Sequence, residues 1–236
     1  VAWSLPISHG LATGQNAPVT LTIDSTGADF AVARINVGTT GQTVTVTDNN
    51  GNTWTGLSVA SGAGWTQLWY TQGGTFGSNH QITMTLATGS NPTLTTLEAI
   101  CFSGSAASPF DAESGTGSIF NATSAQPGSG ITPAGANELF ICGLTIGGAT
   151  GTPTIDTGFT IVESNGGGTG GVFWGGSLAY LIYPGASLVN PTWSWSAGSP
   201  YCCPMAAFKA GVSAATTFKR FGQRIRGGSS GLPVQH

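Results

Sequence analysis

The sequence predicts an all-β protein: a two-sheet, jelly-roll-like β-sandwich with an extended basic C-terminal tail. About a dozen short runs alternate apolar or β-branched residues with polar ones, the period-2 pattern of strands. Gly, Asn and Pro turns separate these runs at short intervals, the spacing of sandwiches and jelly rolls. Basic residues are nearly absent until the last 28 positions, which marks the end of the chain as a different kind of segment.

In order, PVTLTID (18–24), DFAVARINV (29–37) and TVTVTD (43–48) open the series. DNNGN (48–52) follows, and its Asn50-Gly51 pair between alternating runs predicts a type I′ hairpin. WTQLWYT (65–71), HQITMTLA (80–87) and TLTTLEAICF (93–102) continue the pattern. The Ser-, Gly- and Pro-rich stretch within 105–137 reads as a long connection that crosses between sheets or carries one irregular strand. Strands resume with ANELFICGLTIG (136–147), FTIVES (159–164), GVFWGGSLAYLIYP (171–184), TWSWSA (192–197) and CPMAAFKA (203–210). The strands on both sides of the connection share one style, so residues 1–210 are expected to form one domain and 211–236 an extension. No period of 20 to 50 residues repeats, which argues against solenoids and propellers.

Composition narrows the class. Hydrophobic residues make up 39 % of the chain and charged residues only 6 %, against about 25 % charged in ordinary soluble domains. A surface built from Ser, Thr, Asn, Gln and bare backbone suits secreted β proteins and fibres. The 38 glycines show no G-X-Y period, which excludes collagen. No run of 18 apolar residues occurs, so no membrane span is expected. A start at Val1 rather than Met suits either a processed secreted chain or a trimmed one.

Cys101, Cys142, Cys202 and Cys203 form no C-x-x-C pair and have no His at zinc spacing, so neither a metal site nor a cofactor is expected. In an extracellular chain they are candidates for one or two disulfides or for buried thiols. Adjacent Cys202 and Cys203 would point to opposite faces of a strand.

VTVTDNNGNTWTGL, QLWYTQ, ITMTLATGSNPTLTTLEAICFSGSAASPFD, ELFICGLTIGG, GFTIVES, LAYLIYPG and MAAFKAG together resemble a jelly-roll-like β-sandwich module of bacterial surface and secreted proteins and of phage structural proteins. The likeness covers most of residues 1–210 and implies fold more than function. The tail beyond Gly211 lies outside it and is similar to the terminal extensions by which extracellular filament subunits dock into a neighbour.

Catalytic motifs are sparse. The histidines are His9, His80 and His236, and a spatial Ser-His-Asp arrangement is not visible in sequence. GGSSG (227–231) matches G-x-S-x-G without its strand-turn-helix setting. Asp111 and Glu113 are expected in a solvated loop, and Glu98, mid-strand, on the polar face of the pleat. DNNGN lacks the distal Glu of a calcium loop. No enzymatic activity is expected. Trp193 and Trp195, two apart on one strand, are the candidate sugar-stacking pair of an alternative reading: a carbohydrate-binding or adhesin module, or a phage fibre or decoration domain. Asn121 heads the one usable N-x-S/T sequon, a possible site for a covalent glycan.

The charge partition points to self-association. Residues 1–208 set one arginine against nine acids, leaving −8, whereas residues 209–236 hold five cations and no acid, giving +5. Five cations beside an acidic body are a poor footprint for nucleic acid. The 26-residue extension spans roughly 85 Å if extended, more than the roughly 45 Å width of such a domain. It can therefore reach another copy and build a head-to-tail polymer. Phe218, Phe221 and Ile225 are the expected anchors. Lys219, Arg220, Arg224 and Arg226 are the expected partners of acids on the neighbour. The expected setting is extracellular or at a cell surface.

Overall fold

A computed structural model describes residues 2–14, 18–62, 64–87, 94–148, 151–156, 158–165 and 174–211. All its regular structure is antiparallel β. The first large sheet has strand order β1-β9-β3-β7-β5, from Ser8–Gly14, Thr95–Phe102, Phe30–Val37, Trp65–Gln72 and Thr55–Gly56, with β6 (Ala60–Ser61) also on β7. The second has order β10-β15-β11-β14-β13, from Ser105–Ala125, Trp193–Ala210, Glu138–Gly147, Trp174–Tyr183 and Thr160–Asn165, with β12 (Thr154–Ile155) on β15. A small sheet, β2-β8-β4, comprises Val19–Ile23, His80–Leu86 and Val44–Asp48.

The two large sheets pack face to face, which is the expected sandwich, and a further layer covers each outer face. Three cores result. One, with Ile35, Leu97, Ile82 and Met84, lies between the small sheet and the first large sheet. Another, with Phe140, Leu144, Trp193 and Met205, lies on the outer face of the second sheet. The third, with Phe30, Ile100, Phe102, Leu139 and Phe208, joins the large sheets.

This arrangement is a duplication of architecture. β1, β9, β3, β7 and β5 hold the same order as β10, β15, β11, β14 and β13. Phe30 pairs with Phe102 as Leu139 pairs with Phe208, and all four point into the shared core. Where the first half breaks the chain between β8 and β9 and between β1 and β2, the second half runs on as the long strands β15 and β10. The linker residue Gly104 (φ +99°) sits where a Cβ would strike the carbonyl of Ala2, so only glycine fits. Asp29 accepts from the N–H groups of Gly104 and Ser105 (3.0 and 3.2 Å) and pins the passage between halves.

The 105–137 connection carries an irregular strand, the second of the two alternatives: β10, the longest strand, whose small residues and four register shifts erase the period-2 signal. Two expectations change. DNNGN does not close a hairpin: only Gly51 (φ +74°) of the Asn50-Gly51 pair is left-handed, so the turn is not type I′. β4 instead pairs with β8, and the chain passes to β5 in the other sheet. Glu98 does not face solvent, because β9 and β3 are buried on both faces.

Candidate functional site

Three polar constellations stand out, and each follows from strand register. The first lies between the large sheets. Arg34 and Glu98 are directly opposite on β3 and β9, both fully buried, with Nε donating to the carboxylate at 2.6 Å. Arg34 Nη1 donates to Leu144 O (2.5 Å) and to Thr145 Oγ1 (2.6 Å), and Thr145 in turn bonds Thr66. The Arg34 side chain lies over Gly143, where a Cβ would come within 2.7 Å of its Cδ. Gly143 occupies the position in the second half that Arg34 holds in the first, and Pro204 the position of Glu98. The ion pair therefore sits on its own counterparts, and only a small, flat pair there leaves room for it.

The second constellation braces the 48–54 turn. Asp48 Oδ1 accepts from the N–H groups of Asn50 and Asn52, both at 3.0 Å. Its Oδ2 accepts from Asn52 Nδ2 (2.8 Å) and Trp54 Nε1 (2.9 Å) and faces His80 Nε2 (3.0 Å). His80 Nδ1 meets Ser25 Oγ at 2.9 Å. This is a Ser-His-Asp chain, but Ser25 and His80 are fully buried and Ser25 Oγ also accepts from Gly77 N–H. The imidazole turns Nδ1 rather than Nε2 to the serine, the reverse of a hydrolytic triad. Its role is to hold a turn.

Burial works to raise the Asp48 pKa, but its four donor contacts, from Asn52 backbone, His80, Trp54 and Asn52 side chain, together leave it lowered. A lowered carboxylate contributes stability above its unfolded value of about 3.9 and loses it as pH falls through the folded value. Asp48→Asn is therefore expected to flatten the acid limb of the stability–pH curve, read by urea unfolding between about pH 2 and 5. At neutral pH it should cost about 1.5–3 kcal/mol.

The third constellation lies at the root of the extension. Lys209, near the end of β15, is flanked by β10 on one side and β11 on the other. A bulge between the pairs Phe110–Phe208 and Ala112–Ala207 leaves Asp111 as the extra residue and re-aims it. Its Oδ1 lies 3.3 Å from Lys209 Nζ, and its Oδ2 accepts from Ala134 N–H (2.8 Å). Continuing the β11–β15 register one step beyond Leu139–Phe208 sets Glu138 opposite Lys209. Glu138 is 1 % exposed, its Oε1 accepts from Gly135 N–H (3.0 Å), and its Oε2 meets no donor. Burial, and then the charge of Asp111, raise its pKa. Among the described residues no three His, Cys, Asp or Glu side chains converge as a metal site, and no helix is long and apolar enough to cross a membrane.

The anchors expected from sequence, Phe218, Lys219, Arg220, Phe221, Arg224, Ile225 and Arg226, lie outside the described residues. Asn121 is exposed on β10. Trp193 is fully buried and Trp195 is 6 % exposed, both in the second half's core. The exposed, coplanar pair that sugar stacking requires is therefore absent. Trp193 Nε1 instead donates to Cys142 Sγ (3.2 Å). All four cysteines are free and buried. Burial pushes the Cys101 and Cys202 thiols up to about 12 and Cys203 well up, which leaves them protonated and unreactive. Glu113, expected in a free loop, holds Ser58 through its N–H (2.8 Å) and Oγ (2.7 Å).

Comparison with protein-family models, with curated proteins and with solved structures finds no match in any of the three. The chain itself defines its class: an antiparallel β-sandwich of two similarly ordered halves, with a lysine–carboxyl cluster near the end of β15.

Proposed function

We propose that this chain is a non-enzymatic structural subunit of an extracellular homopolymer, in which the basic extension of one protomer docks on the sandwich of the next. The observation that supports this most is the outer edge of β10. This 21-residue strand pairs with β15 on one side and, among the described residues, has no ladder partner on the other. A long open edge presents a row of unpaired N–H and C=O groups, which a strand from another copy satisfies. The 126–130 turn folds against its Ser114 and Gly115. Farther along, Ile119 and Phe120 are 65 % and 75 % exposed, an apolar pair beside an open edge.

The root of the extension lies beside the start of β10. Gly211 N–H donates to Gly104 O (2.7 Å), at the corner where β10 begins. Among the exposed acids are Asp24, Glu113 and Asp156, and Glu113 lies on β10 itself. Arg220, Arg224 and Arg226 of an incoming extension meet that charge, while Phe218, Phe221 and Ile225 supply the apolar anchors. A glycan on Asn121 would project from the same strand.

The test is a chain stopped after Gly211, compared with the full chain by sedimentation velocity. The truncated chain is expected to stay folded and monomeric, whereas the full chain sediments as large, concentration-dependent species. Equal assembly by both contradicts the reading.

A further inference from the structure

Lys209, Asp111 and Glu138 do more than pair charges. We infer that Lys209 and Asp111 join in an intramolecular amide bond, Nζ to Cγ, with Glu138 relaying the protons. The geometry carries this: an amine 3.3 Å from Asp111 Oδ1, a carboxyl whose other oxygen is held by the Ala134 N–H, and across the ladder from Lys209 a second, buried carboxyl whose Oε2 meets no donor. Asp111 and Glu138 are almost enclosed, with side chains or residues 8 % and 1 % exposed, while the Lys209 side chain is 43 % exposed and enters from the solvent side.

The step balances without an oxidant or activating group. Within the ion pair the ammonium passes a proton to the Asp111 carboxylate, giving amine and carboxylic acid. The Nζ lone pair attacks Cγ while the Glu138 carboxyl donates its proton to the Asp111 carbonyl oxygen. Glu138, now a carboxylate, removes a proton from Nζ and delivers it to the departing hydroxyl. The C–O bond breaks, water leaves, the re-forming carbonyl returns its proton to Glu138, and an Nζ–Cγ amide remains. In free solution this condensation lies toward hydrolysis. A pre-positioned pair gains an effective concentration of up to about 10⁵–10⁸ M, and a buried site favours the neutral amide over two charges. Glu138 suits the relay because it is buried opposite Lys209, where burial and the Asp111 charge raise its pKa and so favour its protonated form.

Such a bond would staple the first and last strands of the second half, two residues before Gly211. Tension on the extension would then pass into β10 without unzipping β15. The bond is a property of the single chain, so it can stand if the assembly reading fails, and the reverse.

Intact mass spectrometry of the full chain tests it. The expected mass is one water below that of the sequence, and Lys209→Arg, Asp111→Ala and Glu138→Gln should each return to the mass of their own sequence. Between Arg34 and Lys219 the only tryptic site is Lys209. An amidated Lys209 is not cleaved, so the denatured chain should yield a 35–219 fragment lacking one water. A wild-type chain at full sequence mass that is cut after Lys209 overturns the inference. So does a loss of water that survives Lys209→Arg, which would be cyclisation at an aspartate instead.

Discussion

Glu98→Ala is expected to destabilise the chain by about 3–5 kcal/mol, because it leaves the Arg34 guanidinium charged, buried and without its carboxylate. No rearrangement rescues it: Arg34 is fully buried, its Nη1 is already committed to Leu144 O and Thr145, and its aliphatic stem is seated on Gly143. The double variant Arg34→Met, Glu98→Leu should recover most of that loss, since an apolar pair of similar volume avoids desolvating two ions. Urea midpoints of the two variants at neutral pH decide this, and equal destabilisation would contradict it. The pair also breaks the equivalence of the halves. Arg34 needs Gly143 beneath it, so the first-half face fits the second-half face and not another copy of itself. A single central ion pair can thus specify which sheets meet.

Phe208→Ala should cost a similar amount, about 3–5 kcal/mol, through the cavity it leaves. Its ring lies 4.9 Å from Phe30, 5.3 Å from Tyr70 and 6.3 Å from Phe110, between strands of both large sheets. Loss of this ring is expected to loosen the seam between halves before either outer core. Hydrogen exchange should therefore rise first in amides of β3, β9, β11 and β15. Ile82→Val, in the first half's outer core, is the contrasting variant: it should cost only about 0.5–1.5 kcal/mol and leave the seam protected.

The all-β class and most strands were legible because their patterns are local. PVTLTID and HQITMTLA alternate cleanly because one face of the small sheet is solvated. DFAVARINV and TLTTLEAICF were misleading for the opposite reason. Their polar members, Arg34, Asn36 and Glu98, mark an interior layer between sheets, and nothing local separates a polar residue facing water from one facing a buried partner. The signal was the pairing of the body's lone arginine before Lys209 with a mid-strand glutamate, which needs register to recognise. The duplication was hidden because LEAICFSG and CPMAAFKA share shape and burial but few identities. β10 was hidden because bulges remove its alternation. With β10 read as a connection, Asp111 looked like a turn residue, Lys209 like the first cation of the extension, and Glu138 like one acid among nine. Only the three-strand register brings them together. Trp193 and Trp195 were correctly placed on one face, but that face is a core.

Negative-stain electron microscopy of the purified full-length chain tests the assembly reading most directly. Long fibrils of uniform width, lost on truncation after Gly211, are the predicted result. A field of single particles or closed rings at every concentration would contradict it.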